Sequence, residues 1–294
     1  MSKKIISFSL WGDIPMYNVG AIRNAELVSQ MYPDGWIARF YIGSDVPQKT
    51  IDAIKELPAT EIVDMSGTPN DWQGMFWRFY AINLEEDIDY VIFRDTDSRL
   101  SHREYMAVKE WISSGKTIHI MRDHPYHSEP IMGGMWGCKP KELIEVINKD
   151  IYKEHGIPEV DNIQEVIKNW MMVEWGRTER KEEKSLSVEN YFTKGIDQRF
   201  LRAIIYVLLN KEAYIQDAFP MYNAWSGRFD WNRETVKEMN TGFPTKRGKD
   251  WNNFIGQVYN EHDEPEKMYA DIIEERDKWI YEGNPANIAE EDLQ

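Results

Sequence analysis

The stretch Asp89-Tyr90-Val91-Ile92-Phe93-Arg94-Asp95-Thr96-Asp97-Ser98-Arg99-Leu100 decides the fold. Tyr90 to Phe93 are apolar or aromatic β-formers and read as a short strand buried on both faces, as in a parallel sheet. Polarity then changes at once: two carboxylates one residue apart, flanked by Arg94 and Arg99. In open α/β sheets ligands bind beyond the carboxyl ends of the strands. Asp95 and Asp97 are spaced to offer oxygen ligands to a hard cation such as Mg²⁺ or Mn²⁺, which keeps waters or phosphate oxygens as its other ligands. Two alternatives compete. Asp is common in the turn after a strand. A phosphatase or phosphotransferase could use Asp95 as nucleophile and Asp97 as acid. That site usually wants a small or hydroxyl residue where Arg99 stands and follows the first strand of a domain, whereas earlier strand and helix patterns precede this one.

Upstream, residues 4–10 alternate as a first strand and Trp11-Gly12-Asp13 ends it. Gly20 to Tyr32 has near-helical apolar spacing and stops at Pro33-Asp34-Gly35. Strand 36–42, helix 47–57, strand 61–65 and helix 76–84 follow. The first hundred residues therefore read β-α-β-α-β-α-β, a doubly wound, Rossmann-like, mostly parallel α/β half. The first turn lacks G-x-G-x-x-G, which argues against a common dinucleotide site.

Downstream, 102–113 reads as a helix and 117–121 as a strand that runs into Arg122-Asp123-His124-Pro125. In Ile131-Met132-Gly133-Gly134-Met135-Trp136-Gly137-Cys138, adjacent glycines imply close backbone approach or positive φ. This is either a tight crossing of core segments or a glycine-lined shelf with Asp123 and His124 at its rim. Residues 141–175 are helical with a break near Gly156-Ile157-Pro158. Arg177 to Lys184 is a solvated charge run. Asp197 and Gln198 open a strongly apolar helix, where a carboxylate caps the backbone and meets the helix dipole. Residues 214–216 read as a strand, 219–263 as irregular and aromatic-rich, and 265–281 as an amphipathic helix. With no repeat and no long linker, the expectation is one domain over 1–294, with a helical insert at 141–195 and a C-terminal helix and tail at 264–294.

The 294 residues are 42% hydrophobic and 13% aromatic, a globular composition. The net charge of −15 disfavours partners held by a general basic surface, nucleic acid and anionic membrane included. The single cysteine, Cys138, allows no internal disulfide. The N-terminal apolar run is too short for a signal peptide or membrane span, so a cytoplasmic location, in a bacterium or an infected host cell, is expected.

Strand-Trp11-Gly12, Trp77-Arg78-Phe79, Arg94-Asp95-Thr96-Asp97-Ser98-Arg99, Met121-Arg122-Asp123-His124-Pro125, Gly133-Gly134-Met135-Trp136-Gly137, Gly195-Ile196-Asp197-Gln198 and Phe254-Ile255-Gly256-Gln257-Val258 occur in this order. In that order they resemble the GT-A-type glycosyltransferases of bacteria, bacteriophages and large viruses, densely over 3–140 and more thinly over 195–263. The resemblance implies a nucleoside-diphosphate sugar donor, UDP-linked, bound by residues 1–140, with residues 196–263 forming the acceptor and catalytic part. It implies Mn²⁺ or Mg²⁺ between the Asp95/Asp97 pair and the diphosphate, with Asp97 the firmer ligand and His262 a late third one. Arg78 is then a diphosphate clamp, Arg94 orients the carboxylates or meets the donor sugar, and Trp11 stacks on the base. Asp197, ahead of Asp123, is the candidate general base if the reaction inverts the anomeric centre. His124, Gly133, Gly134, Trp136 and Gln198 would line the acceptor and sugar side. The expected acceptor is a glycan or small hydroxyl compound. The alternative is hydroxymethylated cytosine in DNA, for which Lys246-Arg247-Gly248-Lys249 is a local basic stretch. A non-catalytic nucleotide-sugar binder is the reading outside the enzymes.

Overall fold

The computed structural model describes residues 2–156, 158–179, 195–219, 240–247, 251 and 253–282. The end of the charge run (180–184), Tyr191–Thr193, residues 220–239, and Gly248 with Lys249 lie outside the described residues. Strands β1 (Lys3–Leu10), β2 (Trp36–Ile42), β3 (Thr60–Asp64), β4 (Ile88–Phe93), β5 (Ile118–Arg122), β6 (Trp136–Cys138), β7 (Ala213–Asp217) and β8 (Asn240–Thr241) form one sheet. Their order is β3-β2-β1-β4-β6-β5-β7-β8. All pairings are parallel except the two made by β6. The fold is thus α/β, Rossmann-like and doubly wound, as the sequence pattern implies.

β1 sits between β2 and β4, with Ile6 opposite Ala38 on one side and Ile92 on the other. Its side chains alternate between two cores: Ile5 joins Phe79, Phe93, Trp136 and Phe200, while Ile6, Phe8 and Leu10 join Val28, Phe40 and Trp111. A sheet buried on both faces explains why its central strands read as continuous apolar runs. Helices α1 (Pro15–Met31), α2 (Gln48–Lys55) and α4 (His102–Ser114) contribute to the second core. The short α3 (Gly74–Trp77), α5 (Pro140–Ile147), α6 (Ile163–Glu179) and α7 (Ile196–Phe200, continued by wider turns to Leu209) contribute to the first. Leu143, Ile147, Ile163 and Ile167 of the 141–195 stretch are fully or almost fully buried there. Among the described residues no helix is long and apolar enough to cross a membrane.

Several elements differ from the sequence expectation. α1 starts at Pro15 rather than Gly20, because proline's fixed φ suits the first helical position. The 76–84 helix is instead α3 followed by a 3₁₀ turn, Arg78–Ala81. Residues 136–138 form a strand, inserted antiparallel between β4 and β5. The C-terminal helix is two, α8 (Met268–Asp271) and α9 (Glu275–Glu282), divided where the Asp277 carboxylate accepts the Glu274 N–H at 3.0 Å.

Candidate active site

β2 and β3 lie to one side of β1, and β4 with the remaining strands to the other, so the strand order reverses between β1 and β4. The Asp95–Asp97 loop leaves β4 at this crevice, where open α/β sheets bind ligands. Its backbone is fixed from below. The Arg94 N–H donates to the Ser7 carbonyl (3.1 Å), which keeps the register of β4 on β1 to its last residue. The buried Asn24 of α1 donates to the Ser98 carbonyl (2.8 Å) and accepts the Leu100 N–H (3.0 Å). α1 comes so close that a Cβ on Gly20 would lie 1.8 Å from the Thr96 carbonyl oxygen. Gly20 is the one residue type that permits this approach.

Arg78 is the centre of the site. Its guanidinium is buried between two carboxylates, with Nη1 on Asp95 and Nη2 2.8 Å from Asp197 Oδ2. The Asp95 side chain is 51% exposed and that of Asp197 only 4%. Two serines of β1 position the arginine backbone: Ser7 Oγ donates to the Arg78 carbonyl at 2.6 Å, and the Arg78 N–H donates to Ser9 Oγ at 2.9 Å. Gly133 and Gly134 form the wall. A Cβ on Gly133 would lie 2.3 Å from Asp197 Oδ2 and 2.4 Å from Arg78 Nη2; one on Gly134 would lie 2.0 Å from Asp95 Oδ2. The adjacent glycines thus let a backbone segment close onto the charged cluster.

Burial works against the Arg78 charge, but Asp95 and Asp197 outweigh it and hold its pKa above the ordinary guanidinium value. Burial raises the Asp197 pKa above the usual carboxylate value, with Arg78 opposing the shift and Asp95 adding to it. Tyr17, in the first turn of α1, has its phenol pKa raised by burial and then by Asp97 and Asp95, which places this hydroxyl in the field of the pair. Arg78 Nε is a buried N–H with no partner among the described residues.

Asp95, Arg78, Asp197, Gly133 and Gly134 are therefore brought together, with Asp97 in the same loop and Gln198 next to Asp197. Other expected site residues are placed elsewhere. Asp123 is fully buried: Arg103 binds it through two N–H donors at 2.8 Å, Arg247 lies at 3.2 Å and the Ile255 N–H at 2.9 Å. Burial acts to raise its pKa, but the two arginines outweigh it and hold the value down to about 2. It is a structural anchor, with no oxygen left to take a proton from an acceptor. The Arg94 guanidinium is buried in the core, paired with Glu104 at 2.8 Å and bound to the Phe93 and Trp136 carbonyls. Trp136 is wholly buried, its ring 4.4 Å from that of Phe93. His124 donates through Nε2 to the Tyr269 carbonyl (2.8 Å) and accepts the Tyr126 N–H at Nδ1, and burial lowers its pKa to about 4. These bonds use both ring nitrogens. The His262 side chain is 73% exposed, and among the described residues no group of three acidic, His or Cys side chains is gathered to hold a metal. His262 is thus not gathered with Asp95 and Asp97 into a metal-holding group among the described residues. Trp11 ends β1, edge-on to Trp77 (5.9 Å) and tight against Gly74.

The sequence reading missed Ser7, Ser9, Asn24 and Tyr17. The usable signal was Ser7-x-Ser9, two hydroxyls at strand spacing inside an otherwise apolar strand.

No protein-family model matches this sequence, and no curated protein matches it. Among solved structures, it is similar to an active-site mutant of LgtC, at 16% identity and a TM-score of 0.32, over 47% of this chain and 58% of that one. It is similar to glucosyl-3-phosphoglycerate synthase from Mycobacterium tuberculosis in complex with Mg²⁺ and UDP, at 14% identity and a TM-score of 0.31, over 49% and 58% of the two chains. It is also similar to 4-diphosphocytidyl-2C-methyl-D-erythritol synthase from Anaerococcus prevotii, at 12% identity and a TM-score of 0.33, over 50% and 74%. The chain spans little more than half the length of the first two. Overlap at this level assigns no activity, which has to be argued from the residues of the crevice.

Proposed function

We propose that the chain is a metal-dependent glycosyltransferase of GT-A type that moves a sugar from a nucleoside-diphosphate donor, UDP-linked, to the hydroxyl of a glycan or small acceptor. One observation carries the reading: the Asp95–Asp97 loop leaves the sheet at its switch point with Arg78 bound between Asp95 and Asp197. The donor set fits Mg²⁺ or Mn²⁺. It offers hard carboxylate oxygens from two residues of one loop, which suits an ion that takes its remaining ligands from water and diphosphate. Asp97 would hold the ion, assisted by Asp95; when bound, the ion offsets the charge developing on the departing diphosphate. Arg78 supplies fixed positive charge at the same place, and its buried Nε–H is a donor for a phosphate oxygen. Trp11, at the end of β1, is the stacking surface for the base. Asp197, with its raised pKa, is the one remaining candidate for the acceptor base. The glycine wall and Gln198 border the sugar.

The acceptor assignment favours a glycan or small hydroxyl over hydroxymethylated DNA. Besides the net charge of −15, Arg247 of the basic stretch is turned inward, bound to Asp123 and packed 5.3 Å from the rings of Phe219, Trp251 and Phe254. It is lost as a phosphate contact. The test is hydrolysis of UDP-, GDP-, TDP- and CMP-sugars with Mn²⁺ against EDTA, beside a simple phosphate ester. Metal-dependent turnover of one donor class supports the proposal. Turnover of the ester alone favours the phosphotransferase, and donor binding without turnover against any acceptor favours the non-catalytic binder.

A further inference from the structure

A second charged cluster, made by residues other than those around Arg78, fastens the Asp95–Asp97 loop to the C-terminal part of the chain. The Tyr259 N–H donates to the Asp97 carbonyl at 2.8 Å. Arg99 lies with its guanidinium 4.7 Å from the centre of the Tyr259 ring. Its Nη1 donates to the Thr96 and Ser98 carbonyls (3.2 and 2.8 Å), and its Nε donates to Asp263 Oδ1 at 2.7 Å, from a residue 164 positions away. The other oxygen of Asp263 lies 3.1 Å from Arg23 Nε on α1. The Arg99 side chain is 7% exposed and that of Asp263 33%. Asp263 has φ +62°, a conformation that Asp and Asn adopt more readily than other side chains. Asn260 holds the turn around it by accepting the His262 and Glu264 N–H groups at 2.9 and 3.0 Å.

Besides the Asn24 bonds, the loop backbone is thus held at the Asp97 carbonyl by Tyr259 and at the Thr96 and Ser98 carbonyls by Arg99, whose guanidinium Asp263 anchors from outside the loop. Without Asp263, Arg99 keeps its two carbonyls but loses the anchor that sets the guanidinium over Tyr259. We propose that Asp263 is a positioning residue that sets the affinity of Asp97 for a divalent cation by fixing Arg99 and, through it, the Tyr259 N–H contact. The inference rests on the metal reading of Asp97 given above.

The test uses the full chain with Mn²⁺ and UDP, counting free Mn²⁺ by electron paramagnetic resonance, and follows exchange of the Tyr259 amide by NMR. Asp263→Asn removes the charge and keeps a side chain that tolerates the backbone. It is expected to weaken Mn²⁺ binding about tenfold, the lower end of what loss of an outer partner does to a metal site. It is also expected to speed Tyr259 amide exchange. Glu261→Gln, a neutralised neighbour on the same turn, is expected to change neither. Wild-type affinity in Asp263→Asn, or equal weakening in Glu261→Gln, overturns the inference. If the wild-type chain binds no Mn²⁺, the metal reading fails instead. Tyr259 exchange then decides the clamp separately: faster exchange in Asp263→Asn retains it, and unchanged exchange overturns it.

Discussion

Replacing Arg78 with methionine isolates the interaction on which the site depends. The variant keeps a long side chain of similar volume but removes the charge between Asp95 and Asp197. The two losses are unequal. Asp95 is half in water, so its share is that of a screened surface pair, about 0–1 kcal/mol. Asp197 is almost wholly buried and is left as an uncompensated carboxylate, for which breaking a buried pair costs about 3–5 kcal/mol. Arg78→Met is therefore expected to lose roughly 3–5 kcal/mol in urea unfolding at neutral pH. The pH dependence has a definite sign. Asp197 already has a raised folded-state pKa, and loss of Arg78 raises it further. An acid whose folded pKa exceeds its unfolded one destabilises the fold as pH rises through that interval, so the deficit of Arg78→Met is largest at neutral pH and shrinks on acidification. Adding Asp197→Asn removes the stranded charge, so the double variant should recover most of the loss, a coupling read directly from the cycle. A single-variant loss below about 1 kcal/mol, or no recovery in the double variant, would refute the reasoning, because Asp197 would then not depend on Arg78.

Three further outcomes are expected. Gly133→Ala, whose Cβ meets both Asp197 and Arg78, should cost about 1–3 kcal/mol by overpacking and abolish donor turnover; a stable variant with full turnover would contradict the wall. Asp123 has a folded pKa of about 2, below its ordinary value, so it contributes stability above the ordinary carboxylate pKa that is lost as pH falls through about 2. Asp123→Asn should flatten that limb of the stability profile and cost about 3–5 kcal/mol at neutral pH, whereas a pH profile like that of the wild type would contradict the anchor. His119 and His127 are held neutral by burial, with pKa values lowered to about 3, so the stability they contribute is present above the ordinary imidazole value and declines as pH falls from there toward 3. Imidazole resonances that titrate near the ordinary value in the folded protein would contradict this.

The strands and the Asp95–Asp97 loop were legible because their signals are local. Tyr90–Phe93 is an uninterrupted buried run, and the charge step after it needs no partner to be seen. β6 was not, since Trp136-Gly137-Cys138 is too short to show a period, and it is a strand because β4 and β5 supply both of its hydrogen-bonded edges. The proposed roles of Asp123, Arg94 and Trp136 rested on residue type beside a motif. Their burial is decided by Arg103, Glu104 and Phe93 respectively, contacts that single-chain spacing does not carry. The adjacency of Gly133 and Gly134 did announce close approach. What they approach, two carboxylates and an arginine from three separate elements, emerges only from the fold.

The central claim is that Asp97 holds a divalent ion that completes the nucleotide site. Calorimetric titration of UDP into the wild-type and Asp97→Ala proteins, each with Mn²⁺ and with EDTA, tests it directly. The account predicts UDP binding by the wild type that requires Mn²⁺ and is lost in Asp97→Ala. Equal binding with EDTA, or by Asp97→Ala with Mn²⁺, would contradict it.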